Sequence, residues 1–237
     1  MPIVTEPQPY AGPLRGWAPA GVLLGVGWWV VGAVIGVVVR FGVPTPAELL
    51  VDVNGARSVW VAAMGLQTAQ QILLVPFGLA LLWALRPVSS SLVIATSAFG
   101  LSAVFFAVSG IVHGVFGVHQ AVDTTDVATL TASQIDLATV THAIADTSYF
   151  AGIVATAVAT WLICDELRRS PRGSGHLALL GQVAVVCHAL QFGWFFVPAM
   201  GGFGAAGGLL QGLWFVGIAR WLGRSGAEIP EAGVSVS

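Results

Sequence analysis

Residues 92–117, LVIATSAFGLSAVFFAVSGIVHGVFG, run for 26 positions without a formally charged side chain. A helix needs about 20 mostly apolar residues to cross a hydrocarbon layer about 30 Å thick, because each residue adds about 1.5 Å. This stretch is long enough, and its one readily titratable side chain is His113. It predicts a transmembrane helix and therefore a membrane protein.

The composition of the whole chain agrees with that prediction. Of its 237 residues, 56% are hydrophobic and 8% are charged, and the mean hydropathy is +0.86. Soluble domains carry about 25% charged residues, so an ordinary water-soluble protein is excluded. The net charge of −2 gives no basic surface for nucleic acid. The two cysteines, Cys164 and Cys187, do not form a CxxC metal-binding spacing.

Six stretches are long and apolar enough to span a membrane, which predicts an all-α, polytopic bundle of six transmembrane helices. They are Trp17–Phe41, Val61–Leu85, Leu92–Gly117, Ala138–Cys164, Leu177–Val197 and Phe203–Leu222. We expect one membrane domain over residues 17–222, between disordered tails at 1–16 and 223–237. The first tail has four prolines and no apolar core, so it does not read as a cleaved signal peptide.

The arginines predict how the bundle is oriented, because cytoplasmic loops collect positive residues near helix ends. A cytoplasmic N-terminus places seven arginines inside, Arg15, Arg86, Arg168, Arg169, Arg172, Arg220 and Arg224, and leaves Arg40 and Arg57 outside. We therefore expect a multi-pass protein of the cell membrane with both termini in the cytoplasm. The connections at 42–60 and 118–137 then face outward.

Both outward connections carry helix signals. Thr45-Pro46-Ala47-Glu48 is a capping box with proline at the first helical position, which predicts a short surface helix ending at Asn54-Gly55. Residues 124–136 have loosely helical apolar spacing, which predicts either a second surface helix or an outward extension of the fourth span. Either element could cover the bundle as a lid.

The strongest polar side chains of five predicted spans fall at similar depths, about 5–15 Å below the outer boundary at about 1.5 Å per residue. They are Gln67, Gln71, His113, His142, Asp146, His188, Gln191 and Gln211. Polar residues within membranes usually face the bundle interior. The sequence thus predicts one buried polar site in the outer half of the bilayer.

Asp146 and His142 are expected to be the catalytic pair of this site. They stand one helical turn apart, and a carboxyl group at this depth needs a partner. Such a pair can act as general acid and base. The alternative interpretation is that the two side chains only fix helix packing.

Aromatic residues near the polar layer predict a pocket for a small lipophilic molecule, most simply a lipid or isoprenoid-like substrate of a membrane enzyme or binding protein. The residues expected to bind it are His113, His188, Gln67, Gln71, Gln191, Gln211, Tyr149, Trp28, Phe106 and Trp214.

Two other functions stay open. His113, His142, His188 and Asp146 would suit a transition metal if they converge, and two facing imidazoles would suit a haem, giving a redox or metal protein. No cofactor is the first expectation, because no pair of histidines has the spacing of a local metal motif. Glycine stripes, such as Gly204, Gly208 and Gly212, could instead dock the chain as an accessory subunit of a larger membrane complex.

The order of the helices resembles an uncharacterised family of six-helix bacterial membrane proteins, known as a domain of unknown function. The similar parts are Leu85-Arg86-Pro87-Val88 after the second span, and the stretch from Leu137 through His142, Tyr149, Gly152 and Leu162 to the arginine-rich turn. The chain departs from the family in its tryptophan and glycine content and in Asp146. The resemblance implies a topology and no activity.

Overall fold

The computed structural model describes residues 11–38, 45–85, 88–121, 123–171, 173–197, 200 and 202–225. Every regular element among these residues is helical, as predicted. The main helices are α1 (Ala11–Val38), α2 (Pro46–Gly55), α3 (Arg57–Ile72), α4 (Leu74–Ala84), α5 (Ser90–Ile111), α6 (Val118–Gln120), α7 (Ala132–Arg169), α8 (Gly175–Gln191) and α9 (Gly202–Ser225). A π-helical turn, Val112–Gly117, joins α5 to α6, and 3-10 turns lie at Val127–Thr129 and Phe192–Phe195.

Among the described residues, five helical stretches are long and apolar enough to cross a membrane: Pro19–Val38, Arg57–Ala84, Ser90–Gln120, Ala132–Arg169 and Gly202–Arg224. The remaining predicted span, Leu177–Val197, corresponds to the shorter apolar helix α8 and the 3-10 turn after it. Helix α1 begins at Ala11, ahead of its expected start at Trp17. The rest of the two predicted tails, residues 1–10 and 226–237, lies outside the described residues.

The helices pack side by side in a closed ring. Going around the ring, α1 contacts α9, α9 contacts α8, α8 contacts α7, and α7 contacts α5. The α3–α4 pair then closes the ring between α5 and α1. The second span is divided at Leu73, close to Pro76, whose ring nitrogen cannot donate a hydrogen bond to the carbonyl of Ile72.

Glycines set the closest of these contacts. A β-carbon added to Gly25 on α1 would lie 2.5 Å from the carbonyl oxygen of Gly212 on α9, so the two backbones meet directly. Gly21 makes a similar approach to Phe215. These parts of the glycine stripes therefore pack within the chain, whereas Gly32 on the same helix faces open space.

A short helix is present where the sequence predicts one, as α2. Its N-terminus is a complete capping box, in which the Glu48 backbone N–H donates to the Thr45 hydroxyl and the Thr45 backbone N–H donates to the Glu48 carboxylate at 2.7 Å. Leu50 and Val53 bury the inner face of α2 against α3 and α7. The second predicted surface element is a 3-10 turn at Val127–Thr129 together with an extension of α7 back to Ala132.

We call the end of the bundle that α2 covers the α2 end. Arg57 lies at this end, at the start of α3, while Arg168 and Arg169 finish α7 at the opposite end. Arg220 and Arg224 lie near the end of α9, where Gly217 meets Leu177 at the start of α8. The predicted positions Arg40, Arg86 and Arg172 lie outside the described residues.

Candidate functional site

Three of the predicted polar residues converge at the α2 end. His142 Nε2 lies 3.1 Å from Asp146 Oδ2, and His113 Nε2 lies 3.7 Å from Asp146 Oδ1. His113 Nε2 and His142 Nδ1 are 3.4 Å apart. One potential ligand atom from each residue lies within 4.8 Å of the other two. The carboxyl group thus sits between two imidazoles.

The two elements that supply these side chains are built differently. On α7, His142 and Asp146 share a face because they are four residues apart. His113 instead comes from the π-helical turn. Such a turn is wound more widely than an α-helix, so its side chains point in different directions, and π-helical turns are frequent at functional sites. Gly110 and Gly114 let this turn lie against Met64 of α3, where a β-carbon on Gly114 would come within 2.9 Å of the Met64 β-carbon.

Trp60 on α3 holds the turn in place. Its indole Nε1–H donates to the backbone carbonyl of His113 at 3.1 Å, and the two rings meet edge to face with centroids 6.0 Å apart. Beyond the turn, Gln120 Nε2 donates to the Thr141 hydroxyl at 2.9 Å and so ties α6 to α7. The backbone that carries His113 is therefore fixed to both neighbouring helices.

A small cavity of about 20 Å³ adjoins the two histidines beneath α2. It is lined by Leu49, Leu50 and Val53 of α2 and by Trp60, His113 and His142, among others. A volume of this size holds one water molecule or ion. The side chains of His113, His142 and Asp146 are 17%, 27% and 38% exposed, so the site is partly buried and still accessible.

The arrangement can do two kinds of chemistry. Two imidazoles and one carboxylate are the ligand set of many transition-metal sites that keep coordination positions open. Without a metal, the 3.1 Å contact between His142 and Asp146 can pass a proton between the two groups.

The predicted glutamines Gln67, Gln71 and Gln211 lie inside the bundle, and none of them lines the small cavity under α2. Gln67 and Gln71 are buried on α3, and Gln211 on α9 donates from Nε2 to the Thr160 hydroxyl at 3.2 Å. Gln71 Oε1 and Gln211 Oε1 have no hydrogen-bond partner among the described residues. Their interior position agrees with the expectation for polar groups in a membrane.

His188 also lies apart from His113, His142 and Asp146, in contrast to the predicted four-residue metal set. Its ring packs against Trp28, with centroids 6.4 Å apart, and its Nδ1 edge faces Gly207 of α9. Gln191, one turn further along α8, packs against Gly204. These two residues form a second polar position at the α2 end of α8.

The predicted aromatic residues fill the interior of the ring of helices. Trp28 packs on Phe106 with ring centroids 5.4 Å apart, and Phe106 packs on Tyr149 at 5.5 Å. Trp214 is fully buried against Phe77 and Phe215. These rings act as core packing, and they do not border the small cavity under α2.

The larger recess was not anticipated from the sequence. It is an apolar groove of about 420 Å³ between α7 and α8, lined by Val154, Ala157, Val158, Trp161, Leu162, Val185, His188, Ala189 and Phe192. The feature of the sequence that could have predicted this groove is a small residue on each wall, Ala157 on α7 and Ala189 on α8. Recognising them required knowing that α7 and α8 are neighbours.

Comparisons with protein-family models, with curated proteins and with solved structures found no match to this chain. The resemblance to a six-helix family stays an expectation based on the sequence.

Proposed function

We propose that this chain is an integral membrane protein that binds one divalent transition-metal ion through His113, His142 and Asp146. The observation that carries the proposal is the convergence of one ligand atom from each residue within 4.8 Å. A ligand set of three protein groups leaves room for water or a substrate oxygen on the ion, which then acts as a Lewis acid.

The surroundings support this ligand set. Ligand atoms about 2.1 Å from one ion lie roughly 3–3.5 Å from each other, and the His142–Asp146 contact of 3.1 Å already has that spacing. His113 Nε2 lies 3.7 Å from Asp146 Oδ1, slightly beyond that spacing. The adjoining cavity of about 20 Å³ has space for a water ligand.

The proposal is tested by cobalt titration of the purified protein after treatment with a chelator. Absorption bands of Co²⁺ report its ligands, and elemental analysis gives the stoichiometry. We expect one Co²⁺ per chain. His113→Ala and Asp146→Asn should weaken binding by more than the roughly 10- to 100-fold typical of losing an outer-shell partner.

His119→Ala and His176→Ala are matched controls, because both histidines are exposed and neither belongs to the converged group. They should bind Co²⁺ as the wild type does. A wild-type protein that binds less than one ion, or binding that His113→Ala leaves unchanged, contradicts the metal site.

A second candidate uses the same pair of side chains without a metal. The 3.1 Å contact favours Asp146 and His142 as an acid–base pair of an enzyme acting on a small lipophilic substrate. The apolar groove between α7 and α8 supports the substrate class, since its volume is in the range of small-molecule sites.

His113→Ala separates the two candidates, because the metal site uses His113 and the acid–base pair does not. Purified protein is incubated with a membrane-lipid extract and a chelator, and the lipids are followed by mass spectrometry. An acid–base enzyme converts a lipid under these conditions, loses conversion with Asp146→Asn, and keeps it with His113→Ala. Conversion that the chelator or His113→Ala abolishes contradicts the acid–base candidate.

For the membrane arrangement we propose six spans with both termini in the cytoplasm and the α2 end outside. The described arginines support it, because Arg168, Arg169, Arg220 and Arg224 lie at the end opposite α2. Reporter fusions test the proposal: a fusion after residue 225 should be active only as a cytoplasmic reporter. A periplasmic signal there contradicts it.

A further inference from the structure

We propose that Gln120 and Thr141 position the non-protein ligand of the metal ion in the cavity beneath α2. As a pair they select a ligand that both donates and accepts a hydrogen bond, such as water. This assignment rests on the proposed metal site and adds two positioning residues to it, since neither belongs to the converged group of His113, His142 and Asp146.

The cavity beneath α2 is large enough for one water molecule, at about 20 Å³. A buried water needs roughly two to four polar partners. The polar side chains that line the cavity are His113, Gln120, Thr141 and His142, apart from the Trp60 indole, whose N–H already donates to the His113 carbonyl. The two imidazoles bind the ion in the proposed site, so Gln120 and Thr141 are left to contact its ligand.

Gln120 brings an unused acceptor to this cavity. Its Nε2 donates to the Thr141 hydroxyl at 2.9 Å, whereas its Oε1 is buried and has no hydrogen-bond partner among the described residues. Both atoms belong to one planar amide group, so the bond to Thr141 also keeps Oε1 beside the cavity. A buried acceptor without a partner costs free energy, and a ligand that donates a hydrogen to it removes that cost.

Thr141 supplies the complementary donor. A hydroxyl group has one hydrogen to donate and two lone pairs with which to accept, and Gln120 Nε2 uses one lone pair of Thr141. Thr139 on the same helix donates its hydrogen to the Ile135 carbonyl, but Thr141 makes no such bond within the described part of the chain. A water molecule on the ion can therefore donate to Gln120 and accept from Thr141.

The pair should discriminate between ligands of equal size. Fluoride is close to water in size and can accept from Thr141, but it has no hydrogen to donate to Gln120 Oε1. A site built to hydrogen-bond one ligand rejects an analogue that lacks the hydrogen, because a buried polar group of the site then loses its partner. We therefore expect the ion to keep water in preference to fluoride.

Fluoride binding to the purified protein loaded with Co²⁺ tests the pair. The paramagnetic ion broadens the fluorine NMR signal of fluoride that exchanges onto it, and a titration at one fixed pH gives the affinity. Gln120→Met keeps the side-chain length and removes the acceptor, so fluoride should bind about fivefold more tightly. Thr141→Val keeps the shape and removes the donor, so fluoride should bind about fivefold more weakly.

Two further variants serve as controls. Thr141→Ser retains the hydroxyl and should behave as the wild type does. Gln134→Met makes the same chemical change as Gln120→Met in the capping box of α7, outside the cavity, and should leave fluoride binding unchanged. Opposite shifts in Gln120→Met and Thr141→Val identify a donor–acceptor pair, because a general loosening of the site would move both affinities in the same direction.

The outcomes separate this assignment from the metal site itself. If both variants bind one Co²⁺ per chain but shift the fluoride affinity in the same direction, or leave it unchanged, the pair is overturned and the metal site stands. Loss of Co²⁺ binding in either variant also contradicts the pair, since neither residue is assigned as a ligand. A wild type that binds no Co²⁺ overturns both.

Discussion

The indole of Trp60 donates its Nε1–H to the backbone carbonyl of His113, across 3.1 Å between two helices that are far apart in sequence. Trp60 is 3% exposed and belongs to the cluster beneath α2. The contact fixes the backbone of the π-helical turn, and with it the direction in which the His113 imidazole points. Trp60 is therefore a positioning residue of the proposed metal site.

Trp60→Phe should weaken Co²⁺ binding by about tenfold, as is typical for the loss of a partner that orients a ligand. Phenylalanine keeps the ring packing and removes only the donor. A shift of the Co²⁺ absorption bands would show that the ligand geometry has changed, which a general loss of stability does not produce. The control is Trp161→Phe, in the groove between α7 and α8, which should leave both band position and affinity unchanged.

Gly25→Ala should destabilise the bundle by about 1–3 kcal/mol, the usual cost of overpacking a close contact. The new methyl group would lie 2.5 Å from the Gly212 carbonyl oxygen and 2.7 Å from Val216 Cγ2, so α1 and α9 must move apart. Thermal unfolding in detergent measures the loss.

Gly32→Ala is the matched control for that prediction. It makes the same chemical change on the same helix, where a β-carbon meets nothing within 4 Å. An unfolding temperature that falls as much for Gly32→Ala as for Gly25→Ala would show that backbone contact between α1 and α9 is unimportant.

The N-terminus of α2 should loosen in acid. The Thr45 backbone N–H and hydroxyl both donate to Glu48, and these hydrogen bonds hold the pKa of the Glu48 carboxyl below its ordinary value. Because the folded pKa is lowered, the capping contribution is present above the unfolded pKa of about 4.3 and is lost as the pH falls through the folded value.

Hydrogen exchange of the α2 amides, corrected for intrinsic rates, measures this loosening. Glu48→Gln should abolish the pH dependence, because glutamine can still accept from the cap but does not titrate in this range. Exchange that increases in acid equally in both proteins would assign the effect to another group.

The sequence predicted those features that depend on residues close together along the chain. The Thr45–Glu48 capping box fixed the start of α2, and the four-residue spacing of His142 and Asp146 placed both on one helix face. The burial of Gln67, Gln71 and Gln211 likewise follows from the cost of polar groups in lipid.

Positions that depend on packing between helices were not predictable in the same way. His113 joins Asp146 through a π-helical turn, and the sequence offers no periodic signal for a single widened turn. Depth alone placed His188 with the other histidines, but the ring order of the helices puts it between α7, α9 and Trp28. Depth along a helix axis does not specify the direction a residue faces around that axis.

The length of α8 has a consequence for the surrounding bilayer. Its 17 residues cover about 26 Å, against a hydrocarbon core of about 30 Å, whereas α7 beside it has 38 residues. In the proposed six-span arrangement, the 3-10 turn Phe192–Phe195 makes up the missing length. We therefore expect the outer edge of the hydrocarbon layer to meet a 3-10 turn beside α8 and a continuous α-helix beside α7.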